Sequence, residues 1–84
     1  MVKKNVTVKH ESGLEARPIA MLVQKASQFS SQVHIEVGTK SINAKSIMGM
    51  MSLSVGNGDE VVVVTEGIDE VAAADEIETY LMAQ

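Results

Sequence analysis

The chain has no cysteine and no tryptophan, and in its 84 residues proline, arginine, phenylalanine and tyrosine occur once each, as Pro18, Arg17, Phe29 and Tyr80. Without cysteine there is no disulfide framework, no thiol nucleophile and no thiolate metal site, which fits a cytoplasmic protein. Two aromatics are too few for a base-stacking surface, and the net charge of −4 disfavours nucleic acid as a direct partner. No apolar run reaches membrane-spanning length, and Met1 to Thr7 lacks a signal-type apolar core, so a soluble, unprocessed chain is expected. His10 and His34 have no second histidine at ligand spacing and read as surface residues. No Ser-His-Asp set, phosphate-binding glycine loop or paired-carboxylate cleft can be assembled. The expectation is a non-enzymatic single domain, residues 1–84, with no cofactor or metal and a modest core.

The charge that is present is unevenly placed. Residues 1–45 hold all seven basic residues against Glu11, Glu15 and Glu36, a balance of +4, whereas residues 46–84 hold eight acidic residues and no basic one. A moderately basic face in the first half suits an acidic protein partner. The acidic run from Glu66 to Glu78 reads as a solvated helix face.

Val2 to Lys9 reads as a strand with Val6 and Val8 on one face, and Glu11-Ser12-Gly13 as a turn. From Ala16 to Ser27, Ile19, Leu22, Val23 and Ala26 follow the spacing of an amphipathic helix, with Phe29 plugging the core beyond its end. Gln32 to Val37 alternates, with Val33, Ile35 and Val37 inward, and Gly38-Thr39 turns the chain into a second strand from Lys40 to Ala44. Ser46 to Leu53 predicts a helix of about two turns. Beyond the Gly56-Asn57-Gly58 break, Val61 to Val64 reads as a central strand. Asp69 then caps a last helix that buries Val71, Ala74, Ile77 and Leu81. The order is βαββαβα, an α+β chain whose four-stranded sheet carries its helices on one face.

Two stretches carry chemistry. In Gly13-Leu14-Glu15-Ala16-Arg17-Pro18 the proline falls within the first helical turn, so the preceding side chains ring a helix N-terminus. Such an end offers unpaired N–H groups and a partial positive charge, and Arg17 adds a planar donor fork, so an anion is the expected guest. Glu15 is itself an anion placed where a group that accepts or contacts a phosphoryl would stand; equally, a glutamate favours a helix start through the dipole alone. In Asn43-Ala44-Lys45-Ser46-Ile47-Met48-Gly49-Met50-Met51-Ser52-Leu53, Ser46 falls at an N-cap. The same position suits a phosphoserine, with Lys45 adjacent. If Met50 and Leu53 point inward, Ile47, Met48 and Met51 point largely outward as an adaptable partner surface, although methionine also fills core gaps. Gly49 inside the helix is explained by close approach of another backbone.

Together the two stretches resemble the HPr family of the bacterial sugar phosphotransferase system, and the resemblance spans the whole chain. It implies an open-faced β-sandwich with a four-stranded antiparallel sheet. In the family the position matching Glu15 is a histidine that carries a phosphoryl group between proteins; here a carboxylate stands there. Ser46 matches the serine modified by HPr kinase/phosphorylase, and Ile47, Met48 and Met51 match the docking surface. A member without the histidine but with the serine is most similar to the Crh-like branch, although that branch characteristically carries glutamine at the histidine position. The resemblance implies a regulatory phosphoprotein of carbon catabolite repression, a corepressor for the catabolite control transcription factor. Glu15, Arg17, Lys45, Ile47, Met48 and Met51 would be its partner-binding residues, and some Crh-like proteins exchange the first strand within a homodimer. The alternatives are a phosphocarrier with a substituted active-site position and an allosteric binding module that needs no phosphorylation.

Overall fold

The elements follow in the order strand β1 (Val2–Thr7), helix α1 (Ala16–Ser27), β2 (Gln32–Val37), β3 (Lys40–Asn43), α2 (Ile47–Met51), β4 (Glu60–Glu66) and α3 (Glu70–Met82). The computed structural model describes residues 1–83. The strands form one sheet in the order β1-β4-β2-β3, antiparallel at every pairing. Placing β4 between β1 and β2 makes the tetravaline strand central, as its apolar run requires. Lys4 pairs with Val63, Val63 with Ile35, and Ile35 with Ile42, so one row of side chains crosses the sheet on its covered face. Val6, Val33, Ile35, Val61 and Val63 are buried there with Ile19, Leu22 and Ala26 of α1 and Ala73, Ile77 and Leu81 of α3. The other face of the sheet carries Lys3, Asn5, Gln32, Ser41, Asn43, Glu60 and Glu66, all exposed. It is an open-faced arrangement of three helices on a four-stranded antiparallel sheet.

Several sequence expectations shift by a turn or less. β1 ends at Thr7 rather than Lys9, because Val8 N–H turns to the carbonyl of Asp59 in a loop. β3 ends at Asn43, although Ala44 N–H still donates to Val33 O at 2.8 Å. The second helix is Ile47–Met51 with Ser46 as its cap, shorter than the two turns expected, and Ser52 and Leu53 close it with bonds back to Gly49 and Met50. Val71 is 61% exposed and does not share the buried face of α3, which is Ala73, Ala74, Ile77 and Leu81. Six residues before Ile77 is about 120° away around a helix, so Val71 cannot face the sheet when Ile77 does.

Asp69 occupies the N-cap position of α3 but its carboxylate does not cap that helix. It accepts the N–H groups of Ser30 and Ser31 at 2.9 and 2.8 Å and the Ser31 hydroxyl, whose oxygen in turn accepts Asp69 N–H at 3.1 Å. This reciprocal bond staples the start of β2 to the start of α3. Gly67 permits it: its φ is +148°, and a Cβ there would lie 2.6 Å from Ser31 Oγ. Nor is the acidic run only solvated. Lys4 reaches from β1 to Asp75 at 2.6 Å and Glu78 at 3.0 Å, and Lys25 reaches from α1 to Glu76 at 3.1 Å. The basic and acidic halves of the sequence therefore partly neutralise each other inside one molecule, and the basic face expected of the first half is reduced to its unpaired members. His10 is not a plain surface residue either: its Nε2 lies 2.8 Å from Tyr80 O, and its ring packs 4.9 Å from that of Tyr80.

The Ser31 hydroxyl, then the Ser30 and Ser31 amides, hold the Asp69 carboxyl below its ordinary pKa. A lowered carboxylate pKa adds stability that is fully present above the unfolded value and is lost as pH falls through the folded one. Asp69→Ala should therefore melt earlier than the parent at pH 7, and the gap should close below about pH 4. Thermal melts from pH 7 to pH 2 check this, and a gap that stays constant on acidification would contradict it.

Candidate functional site

The junction before α1 is built on Gly13. Its φ is +77°, and a Cβ there would lie 2.6 Å from Val55 O, so only glycine lets the chain pass beneath residue 55. Gly13 N–H donates to His10 O at 2.8 Å and Leu14 N–H to Val55 O at 2.9 Å, fixing the entry to the helix, while the Leu14 side chain is buried. Glu15 takes the N-cap position with extended backbone and no capping bond from its side chain, while its carbonyl receives Ile19 N–H at 2.9 Å. Pro18 has no N–H to offer. Among the described residues, Ala16 N–H and Arg17 N–H find no acceptor and Arg17 has no ion pair. Glu15, Ala16 and Arg17 are exposed. The end of α1 is thus an open set of donors with an arginine beside it, and the adjoining carboxylate makes no bond to those donors.

Ser46 caps α2 as expected, its hydroxyl accepting Gly49 N–H at 3.2 Å. Asn43 shapes the approach by accepting Lys45 N–H at 2.9 Å, an Asx turn that the Asn-x-Lys spacing permits and that sequence reading passed over. Lys45 does not stand free beside the serine. Its ammonium donates to Phe29 O at 2.6 Å, just past the end of α1, so it meets a partner only by giving up that bond. Gly49 has no foreign backbone against it; a Cβ would meet Ile42 Cγ2 at 3.2 Å and Ser46 Oγ at 3.3 Å, so the glycine makes room for a β3 side chain and for the capping hydroxyl. Ser52 Oγ donates to Gly49 O at 2.6 Å and closes the helix from the other end. Met50 is fully buried and Leu53 joins the core, while Met48 is 83%, Met51 52% and Ile47 48% exposed. The five-residue helix therefore sorts its side chains as the spacing predicts.

The two motifs do not meet at one point. Lys45 touches the chain just after α1, and Val55 touches it just before α1, so α2 runs beside α1. Surface depressions of ≈ 210, 260 and 340 Å³ lie on the open sheet face and beside the β2–β3 hairpin, and none of these three is lined by Glu15, Arg17 or Ser46. Among the described residues no group of three histidine or acidic side chains could hold a metal ion. Among the described residues no helix is long and apolar enough to cross a membrane.

The chain is an open-faced α+β domain whose two motifs lie at the N-termini of two adjacent helices. The family model described as the PTS HPr component phosphorylation site matches residues 2–83, and the chain belongs to the HPr family. It is 47% identical over 81 residues to the HPr-like protein Crh of Halalkalibacterium halodurans, covering 96% of each chain. It is 49% identical over 78 residues to the phosphocarrier protein HPr of Treponema pallidum, covering 93% of this chain and 89% of that one. The crystal structure of HPr from Bacillus anthracis superposes with a TM-score of 0.92 at 44% identity, covering 95% of both chains. That of Bacillus subtilis Crh, described as a swapping-domain dimer, superposes with a TM-score of 0.77 at 46% identity, covering 96% of this chain and 93% of that one.

The burial contrast within α2 predicts separate consequences for neighbouring methionines. Met50→Ala should lower stability by about 2–5 kcal/mol, as a buried large-to-small change. Met48→Ala should stay within about 0.5 kcal/mol of the parent. Urea unfolding of both variants reads the difference directly, and equal losses would mean that Met48 carries core packing.

Proposed function

We propose that the chain is a regulatory HPr-like protein of carbon catabolite repression. HPr kinase/phosphorylase transfers the γ-phosphoryl group of ATP to Ser46 Oγ with release of ADP, and the product acts as a corepressor for the catabolite control transcription factor. The observation that carries this reading is the exposed hydroxyl of Ser46 at the cap of α2, beside Ile47, Met48 and Met51, in a chain with Glu15 where a phosphocarrier needs imidazole. The Crh relatives support it. An imidazole forms a phosphoramidate that passes its phosphoryl group on reversibly, whereas a carboxylate would form an acyl phosphate of different lability and attacks as a poorer nucleophile. The protein is a phosphoacceptor in this account, not an enzyme. Phosphate on Ser46 supplies a charged anchor, Ile47, Met48 and Met51 supply area that a partner desolvates, and Arg17 pairs with a partner carboxylate. Glu15 keeps a permanent negative charge near that arginine. A cytoplasmic location follows from these partners.

The similarity to phosphocarrier HPr favours a second reading, in which Glu15 is a substituted active-site position on an otherwise working carrier. Intact-mass measurement after incubation with HPr kinase/phosphorylase and ATP, or with enzyme I and phosphoenolpyruvate, separates the two. The expected outcome is one phosphate from the kinase, absent in Ser46→Ala, and no transferable phosphate from enzyme I. Glu15→His should regain some transfer, because Gly13, Arg17 and the open helix end are already in place. A phosphoenolpyruvate-dependent adduct on the parent that is passed to a sugar-specific acceptor would establish the carrier reading instead.

Self-association by exchange of the first strand belongs to the same proposal. β1 is an edge strand followed by the Glu11-Ser12-Gly13 turn, and its ties to α3 through Lys4 and through Lys9 N–H to Leu81 O can be remade with a second copy. Since the same bonds exist before and after exchange, Lys4→Met should speed interconversion of monomer and dimer more than it shifts their ratio. Size-exclusion chromatography of isolated fractions over time tests this, and monomer alone at high concentration would remove it.

A further inference from the structure

We propose that Met48 and Met51 form an oxidation site through which peroxide reversibly weakens docking at α2, by converting their thioethers to sulfoxides. The inference rests on α2 being the docking face, as proposed above. Because the chain has no cysteine, its oxidisable sulfur lies entirely in six methionines. Three of the six fall within the five residues of α2. Met48 is the most exposed methionine of the protein, Met51 is half exposed, and Met50 between them is at 0%. Oxidation follows access, so the helix ranks its own sulfurs: Met48 first, Met51 next, and Met50 only when the protein unfolds.

In the reaction a sulfur lone pair attacks one oxygen of hydrogen peroxide. The S–O bond forms as the O–O bond breaks, and the departing hydroxide takes up the proton left on the transferred oxygen, giving water. Sulfur is oxidised by two electrons and the peroxide is reduced. A methionine sulfoxide reductase reverses the change by oxidising two thiols to a disulfide and releasing water. The product is a strongly polar group on what was an adaptable apolar surface, and burying it against a partner without a hydrogen-bond donor is unfavourable. Neither Met48 nor Met51 belongs to the core, whereas Met50 does. The Ser46–Gly49 capping bond involves no sulfur. Oxidation therefore alters the recognition surface and leaves the fold and the phosphoacceptor in place.

The test treats the full chain with graded hydrogen peroxide, maps sulfoxides by peptide mass spectrometry, and then measures the initial rate of phosphorylation by HPr kinase/phosphorylase and ATP. Met48 sulfoxide is expected first, Met51 sulfoxide next and Met50 unmodified, with an unchanged thermal melt and a rate lowered about fivefold or more. Methionine sulfoxide reductase with dithiothreitol should restore the rate. Met48→Leu/Met51→Leu, whatever its own rate, should show the same rate before and after peroxide although Met1, Met21 and Met82 remain exposed. Full oxidation of Met48 and Met51 with no change in rate overturns the proposal, as does a double variant that stays sensitive. Untreated protein that accepts no phosphate refutes the reading of α2 itself, and the proposal with it, which distinguishes the two failures.

Discussion

Burial of one face of the sheet is the constraint on which the rest of the molecule depends. With β4 between β1 and β2, the valines at 61 and 63 lie at the centre of the sheet, α3 packs across it, and residues of α1 join the same core. Every residue of functional interest takes its position from this packing. Leu14 and Ile19 anchor the two sides of the α1 entry, and Met50 and Leu53 anchor α2. α2 is far too short to persist in water, so its exposed face exists as a surface only because its buried face is held. Apolar burial is thus what holds polar and thioether groups out at the surface.

The geometry places the two motifs on separate helices. The N-terminus of α1 has unpaired N–H groups beside Arg17, and the cap of α2 is a hydroxyl beside an exposed apolar patch. A substitution at Glu15 therefore leaves the cap of α2 intact. The local bonds that shape the one motif are not shared by the other.

Much of this architecture is legible in the sequence because it depends on local periodicity. The spacing of Ile19, Leu22 and Ala26 locates α1, the alternation of Val33, Ile35 and Val37 locates β2, and both sets of bounds match the structure. What stays hidden is long-range and polar. Asp69 reads as a cap because its neighbours are helical, but its carboxylate serves serines 38 and 39 residues away. Lys4 with Asp75 and Lys25 with Glu76 are charges in separate halves of the chain that no local pattern joins. Val71-Ala72-Ala73-Ala74 offers several phases of small apolar residues, and packing against the sheet decides among them. Around the site, Gly13 reads only as a turn glycine until Val55 is seen above it, and Lys45 reads as a free neighbour of Ser46 until Phe29 O is seen to claim it.

Lys4 lies on the covered side of an edge strand and extends to two carboxylates of α3. A strand slipped by one residue, or an apolar strand from an unrelated chain, would leave Asp75 and Glu78 facing a sheet edge without a cation. The slot beside β4 is therefore matched to β1 in its own register, because that placement sets the Lys4 ammonium against both carboxylates at once.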